Sequence, residues 1–347
     1  MKKTLEKLLK ENPNDAVKWN QLGLINMRKG HLDEALNAFA KVEEVTLQNT
    51  NNLQLAAALS NIANVAQIRG DLDLATDYYE RALRLITTLG NKEERASIYG
   101  NIGNVAQVRG DLDAAMEHFQ NALSINESLD RKDGMANNFG SMANIAFIRG
   151  DLETAMQFYE QSFALNGALQ RKDGMANNFG NMGNVAQSRG DLDEAMDYYQ
   201  QALKLNKALG RKEGMASNYG NMGVVAQLRG DLDKSMDYYQ QSLEIEKALG
   251  RKGGMAFDYG NMGNLSRTRG DLDEAMEYYQ QALRLNKALG SKEGMANDYG
   301  NIGVLSKSRG DLDEAREYLQ QSLDLFTEIG AAPQIAQTQA LLDSLED

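Results

Sequence analysis

Side chains that could do catalytic or metal chemistry are sparse in this chain. Its 347 residues include two histidines, His31 and His118, and no cysteine. No serine–histidine–aspartate set, HExxH motif or phosphate-binding glycine loop can be assembled around them. The lack of thiols also excludes a thiolate metal site and a cysteine nucleophile. The sequence therefore predicts no enzyme activity, no metal site and no cofactor.

Carboxylates and the tripeptide Arg-Gly-Asp recur instead. An acid pair repeated in nearly every copy is not typical of a catalytic centre, and Arg-Gly-Asp is also a known cell-adhesion tripeptide. Each letter suits a helical turn, however: arginine at the negative end of one helix, glycine in a left-handed conformation, and aspartate as N-cap of the next helix. We therefore favour the turn, with a capping box expected where Glu194 follows Asp191. The stretch RGDLD begins at Arg69, Arg109, Arg189, Arg229, Arg269 and Arg309, with variants at Lys29 and Arg149.

The glycine of this stretch sets a period for the whole chain. It occupies positions 30, 70, 110, 150, 190, 230, 270 and 310, so every interval is 40 residues. A fixed period of this size indicates a repeat array. Within each repeat, apolar and small side chains step by three and four, as in Met215, Tyr219 and Met222, which is the helical period. The sequence predicts eight repeats, each a first helix, a tight turn and a second helix.

Charge and composition limit the partners and the compartment. The formal net charge of −12 disfavours nucleic acid and anionic membranes as partners. No run of 18 apolar residues could span a bilayer. The first residues, MKKTLEKLLKEN, are typical of an amphipathic helix rather than a signal peptide. With the lack of cysteine, these features predict a cytoplasmic protein.

The repeats resemble tetratricopeptide repeats. That family combines an aromatic residue, a Leu-Gly pair, a turn glycine, an alanine, a second aromatic and a second alanine. Departures are few: Ala63 and Ala143 replace the first-helix glycine, Ser235 an alanine and Leu319 an aromatic, and no proline closes a repeat. The 40-residue length is similar to that of the arrays in animal spindle-orientation adaptors and kinesin light chains. The fifth repeat shows the pattern as Phe179, Met182, Gly183, Ala186, Gly190, Ala195, Tyr199 and Ala202.

The resemblance implies an all-α fold, an α-solenoid that winds as a right-handed superhelix of eight helix-turn-helix hairpins. We expect one domain, with an N-terminal cap helix in residues 1–14, the repeats in 15–332 and a C-terminal capping helix in 333–347. In this family one stripe of the first helices lines the concave surface and holds extended peptides or partner helices. The stripe runs two, five, nine and twelve or thirteen residues into each repeat.

Amide side chains dominate that stripe, and we expect them to bind the partner. An amide carries both a donor and an acceptor, so a row of amides could pair with the backbone of an extended segment. The alternative is that the amides bond each other or cap neighbouring helices. The ninth position holds Asn64, Asn104, Asn144, Asn184 and Asn264, and three residues later stand Gln67, Gln107, Gln187, Gln227, Arg267 and Lys307.

Glycine repeats at the fifth position of six repeats, although it costs roughly 1 kcal/mol relative to alanine inside a helix. Close approach of neighbouring first helices, room for a ligand, or recent duplication could each explain this. Glycine and asparagine at these sites also argue against the Lys/Arg clamp by which some family members grip a C-terminal carboxylate. The six are Gly100, Gly140, Gly180, Gly220, Gly260 and Gly300.

These features predict a non-catalytic scaffold or adaptor that binds a protein or peptide partner in the groove across repeats two to seven. Two alternatives stay open. The chain could be the regulatory or sensor module of a larger effector complex, or a solenoid that self-assembles into homo-oligomers. No nucleic acid or membrane partner is expected.

Overall fold

The 40-residue period produces pairs of antiparallel helices. A computed structural model describes residues 2–48 and 51–345, and every regular element in these ranges is an α-helix. The all-α, helix-turn-helix prediction is thus confirmed. The chain forms two compact halves, residues 1–171 and 172–347, which we call the N-terminal and C-terminal halves.

The N-terminal half contains nine helices within its described residues, α1 followed by the first and second helices of repeats one to four. Each first helix packs along its own second helix, which packs against the next first helix. The bounds are α1 Lys2–Glu11, α2 Ala16–Arg28, α3 Leu32–Gln48, α4 Asn52–Arg69, α5 Leu72–Leu89, α6 Lys92–Arg109, α7 Leu112–Ser128, α8 Lys132–Ile148 and α9 Leu152–Ala168.

The C-terminal half repeats this arrangement and ends on a single helix. Repeats five to eight again pair consecutive helices, and α18 packs on α17. The bounds are α10 Lys172–Arg189, α11 Leu192–Leu209, α12 Lys212–Leu228, α13 Leu232–Leu249, α14 Lys252–Arg269, α15 Leu272–Leu289, α16 Lys292–Arg309, α17 Leu312–Ile329 and α18 Ala332–Asp343.

The turn between the two helices of a repeat follows the expected roles of glycine and aspartate. The turn glycines have φ between 75° at Gly30 and 88° at Gly310, a left-handed conformation that costs a side chain about 1–2 kcal/mol. Asp71, Asp111, Asp151 and Asp231 each accept a hydrogen bond from the backbone N–H three residues later, as an N-cap should.

The expected capping box is wrong in the repeats that carry glutamate at the third helical position. Asp191, Asp271 and Asp311 make no side-chain cap bond. The glutamates of two of these turns instead accept hydrogen bonds from serine hydroxyls of the first helix. Glu274 accepts from Ser266 at 2.6 Å, and Glu314 accepts from Ser306 at 2.7 Å. A glutamate engaged in this way cannot reach back to the backbone N–H of the N-cap residue, as a capping box requires.

The arginine of the turn motif links neighbouring repeats. Its guanidinium pairs with the second aspartate of the preceding repeat's motif, 36 residues earlier. These aspartates are almost fully exposed, so each pair contributes at most about 1 kcal/mol. The motif is thereby used within the fold, as the turn interpretation predicts. The pairs are Arg69–Asp33, Arg109–Asp73 and Arg149–Asp113 in the N-terminal half, and Arg229–Asp193, Arg269–Asp233 and Arg309–Asp273 in the C-terminal half.

In five of the repeats the core is an aromatic side chain of the second helix packed on a glycine of the first. Tyr199 is fully buried, and its Cε1 lies 2.5 Å from where a Cβ on Gly183 would stand. Any larger residue at Gly183 would therefore push the ring out of place. Where the first-helix glycine is alanine, as at Ala63, the second-helix ring is Tyr79 and both side chains are fully buried.

The first and last helices, α1 and α18, cover the apolar faces of the first and last repeats. Leu9 of α1 packs with Leu22 and Ala38 of the first repeat. Leu342 of α18 and Leu345 just after it pack on the last repeat. None of the helices in residues 2–48 and 51–345 is both long and apolar enough to cross a membrane.

Candidate partner-binding face of the first helices

Consecutive first helices lie side by side within each half. In the N-terminal half the Asn61 amide of α4 donates to Asn20 Oδ1 of α2 at 2.8 Å. In the C-terminal half the Asn221 amide of α12 lies 3.4 Å from Asn184 Oδ1 of α10. The stripe predicted from the sequence is thus a connected surface in each half, and we call its ninth-position asparagines the amide ladder.

A tyrosine of the second helix fixes the orientation of four ladder amides. The Tyr79 hydroxyl donates to Asn64 Oδ1 at 2.5 Å, and the Tyr199 hydroxyl to Asn184 Oδ1 at 2.7 Å. Burial raises the pKa of Tyr79 to about 12, so its hydroxyl keeps its proton at neutral pH. The other two pairs are Tyr159–Asn144 at 2.5 Å and Tyr279–Asn264 at 2.7 Å.

Because the hydroxyl occupies the amide oxygen, each of these asparagines offers its NH₂ group to a ligand. The Nδ2 atoms of these asparagines have no hydrogen-bond partner among the described residues; they belong to Asn64, Asn144, Asn184 and Asn264. At these four positions the ladder therefore presents donors rather than mixed donors and acceptors. The oxygen side of each of these amides has an internal partner, but that partner is a tyrosine hydroxyl, which the sequence did not suggest.

Asn104 differs from the other ladder residues. The second helix of its repeat carries Phe119, which has no hydroxyl, so Asn104 lacks the tyrosine bond. It is exposed, and neither its oxygen nor its nitrogen has a partner within the described residues. Asn104 is thus the freest amide of the ladder.

The glutamines lie beside the same hydroxyls. Oε1 of Gln187 is 3.0 Å from the Tyr199 hydroxyl, whereas Gln67 and Gln227 are each 3.5 Å from theirs. A hydroxyl has one proton, so it can donate to the asparagine or the glutamine but not to both. Gln107, whose repeat carries Phe119, has no such neighbour.

The two predicted cations of the stripe have different surroundings. Arg267 is exposed, and its hydrogen bond to Tyr279 partly opposes burial, which raises the pKa of that tyrosine. The Lys307 ammonium donates to the Ser344 hydroxyl at 2.7 Å and also lies 3.2 Å from its carbonyl oxygen. Lys307 therefore attaches the C-terminal end of α18 to the last repeat.

The fifth-position glycines are not explained by close approach of neighbouring first helices. No atom lies within 4 Å of where a Cβ would stand on Gly100 or Gly260, and only side-chain atoms at 3.2 Å or more lie near the other four. Clefts open at three of these glycines, with volumes of about 260 Å³ beside Gly100, 460 Å³ beside Gly180 and 430 Å³ beside Gly260. The structure thus removes one of the explanations offered from the sequence and shows space beside the ladder.

Buried amide pairs, which the sequence did not suggest, line these clefts. The Asn126 amide donates to Asn138 Oδ1 at 2.8 Å, and the Asn206 amide to Asn218 Oδ1 at 2.9 Å. Each pair joins the end of a second helix to the following first helix. Sequence reasoning assigned no role to these asparagines, although their recurrence every 40 residues was a visible signal.

An apolar row accompanies the ladder in the N-terminal half. Ile68, Val108 and Ile148 hold the thirteenth position of consecutive repeats, and 57–65% of each side chain is exposed. The corresponding residues of the C-terminal half, apart from Leu228, are serine or threonine. The two halves therefore present different chemistry beside the same amides.

Comparisons with known proteins agree with this architecture. The tetratricopeptide repeat model matches residues 14–88, 94–166 and 174–248, and a model of the MalT-like TPR region matches residues 215–345. No curated protein matches the chain by sequence.

Solved structures with the same fold share little sequence with the chain. BtubC (BKLC) from P. vanneervenii is 18% identical, with a TM-score of 0.57 over 63% of this chain and 92% of its own. A STAND signal-transduction ATPase with a tetratricopeptide repeat sensor, from Pyrococcus horikoshii, is 14% identical, with a TM-score of 0.66 over 90% of this chain and 49% of its own. A Rap protein complexed with competence and sporulation factor is 13% identical, with a TM-score of 0.58 over 96% and 97%. Because the repeat model alone matches more than half of the sequence, this chain belongs to the tetratricopeptide repeat family.

Proposed function

We propose that the chain is a non-catalytic scaffold or adaptor that binds an extended peptide segment of a partner protein on the amide ladder. The observation that carries this proposal is the row of NH₂ groups directed away from the tyrosines, at Asn64 and Asn144 in the N-terminal half. Asn104 between them is exposed and free. Donors at regular intervals suit the carbonyl oxygens of a peptide backbone, which every sequence provides.

Two further observations support an extended ligand. The fifth-position glycines leave clefts beside the ladder, so a backbone can approach the first helices closely. The apolar row Ile68, Val108 and Ile148 lies on the same stripe and would add side-chain contacts in the N-terminal half. Each donor that reaches a carbonyl oxygen contributes roughly 0.5–1.5 kcal/mol net.

The experiment is a selection of peptides from a random displayed library on the full chain, followed by calorimetry on the synthetic winner. We expect a segment in which most side chains tolerate alanine, because the backbone supplies the main contacts. Methylating backbone nitrogens one at a time should change the affinity little, since the ladder reads carbonyl oxygens. A ligand that depended on every side chain and bound as a rigid helix would contradict the proposal.

A regulatory or sensor role is the second candidate. Two structural relatives favour it, a Rap protein solved with competence and sporulation factor and a STAND ATPase whose repeats are named as its sensor. In that case the same face would hold a signalling peptide, and the response would lie in a larger complex. Self-assembly into homo-oligomers, the third hypothesis, would show as concentration-dependent mass in light scattering without any added peptide.

A further inference from the structure

One buried pair in the C-terminal half breaks the amide pattern. Where α7 and α8, and likewise α11 and α12, place asparagine against asparagine, α13 carries Glu246 and α14 carries Asp258. Both are buried, with 4% of Glu246 and 1% of Asp258 exposed. Two carboxyl groups therefore occupy the position at which Asn206 and Asn218 bond each other at 2.9 Å.

These carboxyl groups lack the partners that buried acids require. Both oxygens of Asp258 and Oε2 of Glu246 make no hydrogen bond of ordinary geometry among the described residues. The groups beside them are the Ser242 hydroxyl, next to Asp258, and Arg251, whose Nε lies 3.5 Å from Glu246 Oε2. A buried acid without a donor is costly, so it is retained where it has another use.

Asp258 is directed toward the floor of the partner-binding face. Its Oδ1 lies 4.0 Å from where a Cβ on Gly220 would stand, and the Phe257 ring lies 3.6 Å from the same point. Gly220 is buried, whereas the equivalent Gly100 and Gly180 are partly open. The residues equivalent to Phe257 are the smaller Asn137, Ser217 and Asn297, all of which line clefts.

Phe257 thus lies over an acidic site whose counterparts beside Gly100 and Gly180 are open, and it also lines the neighbouring cleft beside Gly260. Its side chain is 52% exposed although it is aromatic. One turn further along α12, the ladder position is occupied by the half-buried Val224 rather than asparagine. An apolar rim above unpaired carboxyl groups matches a long basic side chain, whose methylene stem packs on apolar surface while its charged end seeks an anion.

We propose that the cleft between α12 and α14, formed by Glu246, Asp258 and Phe257, binds a lysine or arginine side chain of the partner segment. This inference rests on the proposed function for the origin of that side chain. The charged end lies between the two carboxyl groups, and the stem replaces part of the cover that the Phe257 ring provides. The site therefore requires a basic residue at one position of the partner segment, whereas the amide ladder contacts only the backbone of that segment.

A small cation tests the site without any peptide. The full chain is labelled with 4-fluorophenylalanine, and the Phe257 resonance is assigned by its loss in Phe257→Leu. We expect n-butylguanidinium to shift this fluorine resonance saturably, and the uncharged, nearly isosteric n-butylurea to leave it in place. An equal shift with the urea would overturn the proposal, because the site would then not recognise the positive charge.

The matched variant is Glu246→Asn with Asp258→Asn, which copies the bonded pair of the other repeats and so preserves the fold. It should weaken the binding of n-butylguanidinium at least tenfold, measured as the concentration that half-saturates the fluorine shift of Phe257. Binding that survives in the double asparagine variant would refute the acidic site.

The peptide selection separates this inference from the proposed function. Selected peptides should carry lysine or arginine at one fixed position, and the double asparagine variant should lose that preference while it still binds the peptides. Peptides that bind but share no basic position would contradict the proposed basic-side-chain site and leave the proposed peptide binding by the ladder standing. Cation binding in a chain that selects no peptide would contradict peptide binding by the ladder and leave the basic-side-chain site standing.

Discussion

Each tyrosine hydroxyl determines what its ladder asparagine can offer a ligand. Tyr159 is 2% exposed, and its hydroxyl needs an acceptor, which Asn144 Oδ1 provides at 2.5 Å. The amide is then held with its nitrogen toward the partner-binding face. Asn104 stands opposite Phe119 and has no such constraint. One sequence position therefore has two different energetic roles in adjacent repeats.

This difference predicts unequal costs for two alanine substitutions. Asn144→Ala should lower the free energy of unfolding by about 1–2 kcal/mol, because the Tyr159 hydroxyl loses its acceptor. Asn104→Ala should be neutral or stabilise by up to about 0.5 kcal/mol, since alanine is the better helix former. Urea unfolding of both variants measures this.

A double-mutant cycle supplies the control. In a Tyr159→Phe background, Asn144→Ala should cost almost nothing, because no hydroxyl is left unpaired. If Asn104→Ala and Asn144→Ala cost the same in the parent chain, the hydroxyl does not hold the amide.

The buried aspartates of the C-terminal half predict a pH dependence of stability. Burial raises the pKa of Asp258 to about 7, with the neighbouring Glu246 carboxyl adding to the shift and the Ser242 hydroxyl opposing it. Burial likewise raises the pKa of Asp298 to about 7, opposed by its bond from Asn286. Both values lie above the ordinary 3.8, so the folded state holds protons that the unfolded chain releases.

The sign follows from that difference in bound protons. The stability that these two protonated groups contribute to the folded state is fully present below about pH 4. It is lost as the pH rises through about 7, which lowers the free energy of unfolding by a few kcal/mol in total. Denaturant unfolding between pH 5 and 8 should show this fall, and Asp258→Asn with Asp298→Asn should flatten it. Asparagine already stands at the equivalent position of three other repeats, as Asn138, Asn178 and Asn218. A slope that persists in the double variant would assign the effect to other groups.

At the scale of the helical elements, the turns between repeats differ in conformational strain. Most place glycine in the left-handed region after the second helix, as at Gly210 with φ 65°. Asp130 and Gln170 take the same conformation with φ 49° and 55° although they carry side chains. A left-handed residue other than glycine costs about 1–2 kcal/mol, and aspartate tolerates it better than glutamine.

Gln170→Gly should therefore raise the free energy of unfolding by about 1 kcal/mol, and Asp130→Gly by less. The reverse substitution, Gly210→Gln, should lower the free energy of unfolding by a similar amount. No atom lies within 4 Å of the added Cβ, so the cost comes only from the left-handed backbone conformation. Thermal midpoints of the three variants provide the measurement. Gains that did not follow this order would show that the turns relax at no cost.

The C-terminal helix makes a second prediction at this scale. Leu342 and Leu345 pack on the fully buried Ala315 and Leu319. Removing residues from Pro333 onward uncovers that face and also frees Lys307 from Ser344. The truncated chain should unfold at a lower temperature and associate with rising concentration in size-exclusion chromatography. A chain ending at Leu345 is the control and should behave like the full sequence.

Much of the fold could be predicted from the sequence, and rather less of the site. The turn glycines and the helical spacing predict helix pairs because both act over a few residues. The tyrosine–asparagine bond joins residues 15 apart on two helices, so it depends on which rotamers the packing allows. The acids Glu246 and Asp258 look like ordinary surface charges until the helix faces are known. The capping box was wrong at Asp191, which makes no cap bond, and the Glu194 carboxylate instead accepts a hydrogen bond from the Tyr198 hydroxyl at 3.1 Å.

At the scale of the whole molecule, repetition preserves the fold while single positions vary. Every repeat keeps a buried second-helix side chain, from Phe39 to Leu319. The face of the first helices changes from half to half, with an apolar row beside the amides in the N-terminal half and the buried acids Glu246 and Asp258 in the C-terminal half. Within each half, such variation suits a partner whose backbone is held by the amides and whose side chains are read at a few places.

The central claim is that the ladder binds through its NH₂ donors, and one triple substitution tests it most directly. Asn64, Asn104 and Asn144 are replaced together by aspartate, which keeps the oxygen that the tyrosine hydroxyl needs and removes the donors. The control adds the same three charges on exposed faces of the second helices, by Asn37→Asp, Gln120→Glu and Gln161→Glu. Calorimetry with the library-selected peptide is paired with thermal unfolding of each variant. We expect the ladder variant to keep its unfolding midpoint within a few degrees and to lose about 2–4 kcal/mol of binding free energy, some 30- to 1,000-fold, while the control binds normally. Unchanged affinity in the ladder variant would contradict the account and leave the amides a purely structural role.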